Sequence, residues 1–173
     1  MKKTCLTALI LVLVAIQSNI FAATNMYWTK NASNLWNDPN NWEDNQGTPL
    51  NRVPTNDDQD RDTAILFHTK ATGPNIPVID ANTAAECFSL LIGSPRSQEP
   101  GIAYLEMTGG TLTTAVPIGT IRLGGDWVED QNGVFDINAG HVTCTQLQVG
   151  RHGEGEINMT GGTVVATFLI QVP

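Results

Sequence analysis

Apolar and polar positions alternate along the second half of the chain, and they do so in a recurring frame. Residues 107–112 read MTGGTL and residues 159–164 read MTGGTV, 52 positions apart (159 − 107). Halfway between them lies a degenerate copy, Ile137-Asn138-Ala139-Gly140-His141-Val142. Aligned on Gly110, Gly140 and Gly162, the copies place Leu105, Phe135 and Ile157 five positions before the anchor. Met107, Ile137 and Met159 stand three before it, and Leu112, Val142 and Val164 two after. The intervening positions are polar: Glu106, Asp136 and Asn158, then Thr108, Asn138 and Thr160. One apolar face at period two is the signature of a half-buried strand. A second signature, apolar-x-apolar-Gly, recurs at Leu90–Gly93, Ile121–Gly124 and Leu147–Gly150. The unit is therefore strand, Gly-Gly corner, strand, glycine and a loop of variable length. A unit of roughly 20–30 residues cannot bury its own apolar face, and stacking copies turns that face into a continuous core. No window has a convincing helical apolar period. The pattern predicts an all-β chain and, within that class, a single-stranded β-solenoid of the right-handed parallel β-helix kind. The alternative is a β-sandwich, whose strands also alternate but need not repeat the same side chain at the same offset.

The start of the chain follows another rule. Met1-Lys2-Lys3 is basic, Leu6 to Ile16 is apolar apart from one threonine, and Ile20-Phe21-Ala22-Ala23 offers small residues for cleavage. This is the layout of a secretory signal peptide over residues 1–22, with an apolar core too short for a stable membrane span. The expected product is secreted or held at the cell surface, with no membrane insertion of the mature chain. Loss of Lys2 and Lys3 with the leader takes the formal charge from −8 to −10. A surface this acidic disfavours nucleic acid and anionic lipid as partners.

Residues 23–62 form a third region. Trp28, Trp36 and Trp42 stand here among Asn, Asp and Pro, and Asp62-Thr63-Ala64-Ile65-Leu66-Phe67 then begins the first good strand. The order Tyr27-Trp28, LWNDPNNW (35–42), Val53-Pro54 and DTAIL (62–66), followed by TGGT copies, resembles the leading segment of secreted bacterial β-solenoid proteins. These include autotransporter-type passenger domains and surface proteins with a C-terminal sorting tag. Trp36, Asn41 and Trp42 match the Trp and Asn-Trp of that pattern, and the spacer carries an unusual Asp38-Pro39. The resemblance implies a fold and a bacterial cell-surface setting and is nearly silent on activity. On this reading residues 23–62 cap the first turn, large aromatics closing an otherwise open end. Residues 63–173 then form the solenoid, incomplete at its C-terminus. Leu169 to Pro173 would lie inside an uncovered turn, and an unpaired edge invites self-association.

Several residues invite a chemical reading. Asp58, Asp60 and Asp62 alternate as calcium ligands can, but an EF-hand-type loop needs Gly and Glu where Thr63 and Thr69 stand. Calcium is thus open only through a non-standard site, against a solvated acidic turn. Trp36 and Trp42 could form a flat platform for glycan rings, against the capping role. Glu106 and Asp136 share one outward offset on strands about 4.8 Å apart, where like charges repel unless splayed or bridged. His68, His141 and His152 lack metal-ligand spacing. Arg122 or Arg151 converging with Asp126, Asp130 or Asp136 in one cleft would be the mark of a polysaccharide-active enzyme. No nucleophile elbow, phosphate loop or zinc motif is present.

The two cysteines beyond the leader, Cys87 and Cys144, each stand six positions before the closing glycine of their copy (93 − 87 and 150 − 144). Ile118 holds the matching place in the copy between them. Two strand spacings exceed the reach of a disulfide, so free buried thiols are expected. The functional expectation is a non-catalytic extracellular or cell-surface structural or adhesive protein, its partner a glycan or a surface molecule. The alternatives are a glycan-binding module and a fragment of a polysaccharide-active β-helix enzyme.

Overall fold

A computed structural model describes residues 23–29, 33–57, 61–67, 76–93, 101–125, 131–150 and 152–171. The expected signal peptide (1–22) lies outside the described residues, as do Asp58, Asp60, His68, Asp126, Asp130 and Arg151. The described chain is all-β. Its strands are β1 (Asn25–Trp28), β2 (Trp42–Glu43), β3 (Thr63–Leu66), β4 (Val78–Ile79), β5 (Ala84–Cys87) and β6 (Ser89–Ile92). They continue with β7 (Gly101–Thr114), β8 (Thr120–Leu123), β9 (Gln131–Val149), β10 (Gly155–Met159) and β11 (Thr163–Gln171). One three-residue 3-10 turn, Pro39–Asn41, interrupts them.

The expected single-stranded β-solenoid is corrected by this arrangement. All eleven strands belong to one sheet. It is a curled, mixed sheet forming a half-barrel. Its β1 and β2 run antiparallel, while β1 runs parallel to β3 on its other edge. Mixed strand direction is compatible with the sandwich alternative. The physical reason for the difference lies at the Gly-Gly sites. They were expected to be corners that end one strand and start another. Gly161-Gly162 does separate β10 from β11, but β7 passes through Gly109-Gly110, and β9 through Gly140, as unbroken strands of 14 and 19 residues. Gly110 and Gly140 take φ of 66° and 99°, and the β7–β9 register shifts there. A left-handed residue in a continuing strand is a bulge, which bends the sheet without dividing it.

The strand register places the aligned apolar positions side by side. Leu105 pairs with Phe135 and Phe135 with Ile157. Met107, Ile137 and Met159 form the next column, and Leu112, Val142 and Val164 the one after it. Ala64, Leu90, Ile121, Leu147 and Leu169 make a longer column across five strands. Except for Met159 and Leu169, which are exposed, these columns point into the apolar core, which Trp28, Trp36, Trp42, Leu66, Ile92 and Leu123 also help to fill. Between β7 and β8 the chain leaves the sheet as a turn over residues 115–119, which carries Val116 and Ile118 at 72% and 55% exposure.

The tryptophan segment joins the same core. Trp28, Trp36 and Trp42 are buried with Met26. Their rings meet edge to face, Trp28–Trp42 at 5.3 Å and Trp36–Trp42 at 4.8 Å between centroids, which is a favoured aromatic geometry. Trp42 Nε1 donates to the Trp36 carbonyl at 3.0 Å, so this indole is satisfied inside the cluster.

Candidate functional site

Residues with outward polar side chains gather on the face of β7, β9, β10 and β11 that points away from the core. Strand alternation puts Glu106, Asp136 and Asn158 in one row, and Thr111, His141 and Thr163 in another. The expected repulsion between Glu106 and Asp136 is relieved by asparagine. Asn138 Nδ2 donates to Glu106 Oε1 at 3.1 Å, and Asn158 Nδ2 donates to Asp136 Oδ1 at 2.9 Å. Thr160 Oγ1 donates to Asn138 Oδ1 at 2.8 Å, and the His141 ring contacts the Thr163 hydroxyl. Three of these contacts tie one strand to the next, and Thr160 reaches β9 from the bend between β10 and β11. Together they make an exposed ladder whose acids are already accepting hydrogen bonds.

Asp62, the one described member of the expected calcium triplet, is committed elsewhere. It is fully buried at the start of β3. Arg52 grips it with both terminal nitrogens, Nη2 to Oδ1 at 2.9 Å and Nη1 to Oδ2. The Thr55 amide also donates to Oδ2 at 3.0 Å. A planar guanidinium fork on a carboxylate is a strong, oriented pair. Here it fastens the 52–55 loop to the start of β3. A cation at Asp62 would have to displace Arg52. Among the described residues, no three His, Cys, Asp or Glu side chains group as metal ligands.

Trp36 and Trp42 are 1% and 0% exposed, so neither ring offers a face on which a sugar could stack. Their neighbour Asn41, matched by the sequence pattern without a role, proves to be the hub of the segment. It is buried, and its Nδ2 donates to Ser33 Oγ and to the Leu35 carbonyl at 3.2 and 3.0 Å. Its Oδ1 accepts from the Ser33 amide at 3.1 Å. Its signal in the sequence was the Asn-Trp pair itself, a polar residue fixed beside a large apolar one. Asp38 caps the 3-10 turn in front of it. The Asn40 amide, then the Ser33 hydroxyl, hold the Asp38 carboxyl below the ordinary carboxylate range.

Arg122 and Asp136 are not brought together. Arg122 on β8 is in register with Gln148, twelve positions along β9 from Asp136 (148 − 136). Cys87 and Cys144 are both free and buried. The residue between their strands is not Ile118 but Thr114. Cys87 pairs with Thr114, and Thr113 with Thr143, so Thr114 adjoins Cys144 on the next strand. Ile118 lies out on the 115–119 turn. No protein-family model, no curated protein and no solved structure matches this chain.

Proposed function

We propose that the chain is a non-catalytic structural or adhesive protein of the cell exterior, whose outward ladder serves as a contact surface. The observation that carries this reading is the hydrogen bonding of that ladder. Its carboxylates are bonded strand to strand by Asn138 and Asn158. General acid–base chemistry needs carboxyl groups aimed at a substrate with pKa values tuned to the task. Groups bonded along the sheet suit presentation of a firm, repetitive, acidic face instead. Export and a bacterial surface setting rest on the leader pattern of residues 1–22 and on the resemblance of the Trp-rich segment.

The test applies labelled protein to intact cells, to extracellular matrix and to a glycan array, and follows polysaccharide turnover in the same samples. Retention on cells or matrix without turnover, weakened several-fold by Asn138→Ala with Asn158→Ala, supports the reading. Release of new sugar ends would overturn it in favour of the polysaccharide-active alternative. Retention by one glycan alone would replace it with the glycan-binding alternative.

A further inference from the structure

Two asparagines stand two residues before a hydroxyl, in Asn31-Ala32-Ser33 and Asn158-Met159-Thr160. Enzymes that transfer oligosaccharide to asparagine read this triplet when its middle residue is not proline. Transferases of the bacterial type also read an acid two residues before the asparagine. Glu156 stands there in the second triplet, whose full run is Glu156-Ile157-Asn158-Met159-Thr160, and Thr29 stands there in the first.

The fold separates the two in the same direction. The Ser33 hydroxyl is committed to the Asn41 hub, donating to Asp38 Oδ2 at 2.8 Å and accepting from Asn41 Nδ2 at 3.2 Å. Asn31 lies outside the described residues. In β10, period two turns Glu156 and Asn158 outward beside Val134 and Asp136 of β9, and Ile157 inward beside Phe135. Thr160 follows on the outward side, its hydroxyl on Asn138. Glu156, Asn158 and Thr160 are all exposed. The side chains that a transferase reads therefore share one accessible face.

We propose that Asn158 is the acceptor of an N-linked oligosaccharide delivered from a lipid-linked donor. This rests on reading the chain as exported, because transfer of this kind takes place outside the cytoplasm. Asn158 Nδ2 attacks C1 of the first sugar, and the C1–O bond to the lipid diphosphate breaks. The diphosphate leaves with the electron pair, and a base of the transferase takes one amide proton. The product nitrogen keeps its other hydrogen, which suffices for the bond donated to Asp136 Oδ1 at 2.9 Å. A glycan here projects from the row without breaking it.

The full chain, with its own leader, is produced in a bacterium that carries such a transferase and its lipid-linked oligosaccharide. Intact mass and peptide mapping read the product. The exported chain should carry a single glycan, at Asn158. Asn158→Gln and Thr160→Val should each abolish it, and Glu156→Gln should lower occupancy several-fold, with thermal melting used to confirm that the variants fold. The glycosylated chain should melt as cooperatively as the bare one. A leaderless chain without sugar at Asn158 overturns the proposal and leaves the export reading standing, whereas a chain that keeps residues 1–22 overturns both. Sugar at Asn31 instead, sugar that survives Thr160→Val, or sugar that prevents cooperative folding also overturns it.

Discussion

Cys144 illustrates how burial sets chemistry one residue at a time. Removing a thiol from water disfavours its thiolate, and burial pushes Cys144 from 9.0 up to about 11. Cys87 is also raised, first by burial and then by the Asp62 carboxylate nearby. The neutral thiol is the form the fold prefers, and the unfolded chain gives up its proton first. The stability this contributes is whole below pH 9.0 and is lost as pH rises toward about 11. We therefore expect unfolding midpoints to be flat from pH 7 to 8.5 and to fall beyond 9, with Cys144→Ala flattening part of the decline. Thiol reagent at pH 7.5 should leave both cysteines untouched in the folded chain and modify both in denaturant without reductant. A chain with neither reactive thiol in denaturant would mean a disulfide. The free state of the thiols could be read from equal offsets in the sequence, but the residue between them could not. The stretch from Thr113 to Thr120 is four residues longer than its counterpart from Thr143 to Gln146, and an offset count cannot tell which residues leave the sheet.

At the scale of elements, alternation located the strands and their register well, because a slip of one residue would turn every apolar side chain to water. It could not distinguish a corner from a bulge. Both need a glycine at positive φ, and both put a polar Thr beside it. The choice depends on what the neighbouring strands do, which lies outside the repeat. Gly110 shows the constraint: its φ is 66°, and a Cβ there would overlap the carbonyl oxygens of Asp80 and Thr83. Thr111 donates its amide to that same Thr83 carbonyl at 3.0 Å, so the backbone has little room to yield. Gly110→Ala should cost more than about 1 kcal/mol, the usual loss being exceeded because strain and overlap add. Chemical denaturation measures it. A cost near zero would mean that the bulge relaxes freely.

For the whole molecule, the outcome of that local choice is a half-barrel. β7 and β9 bend instead of stopping and stay in one sheet, against which the apolar core packs. The Trp cluster closes onto the β1 end of this core and β11 leaves the other end exposed, so the molecule is unequal along its stack. The candidate surface was partly legible in the sequence. Period two fixed which of Glu106, Asp136 and Asn158 share a row. The bonds from Asn158 to Asp136 and from Thr160 to Asn138 stay within a row, but the one from Asn138 to Glu106 crosses diagonally between rows, and a register count carries no such direction.

The turn over residues 115–119 gives the fold a place to accept change. Paired strands lie 30 residues apart across β7 and β9 (131 − 101), but only 22 apart across β9 and β10 (155 − 133). The ladders are in register at both spacings, so the extra length is held outside them, and this turn holds part of it. Sequence drift, an epitope or a grafted peptide can enter there without disturbing a column. Because closing a longer loop costs only about 0.6 kcal/mol per doubling, a six-residue Gly-Ser insertion between Pro117 and Ile118 should leave the melting temperature within a few degrees of the parent. The same insertion between Gly109 and Gly110 should abolish cooperative unfolding. Such a turn can vary between relatives or carry engineered cargo while the sheet behind it stays the same.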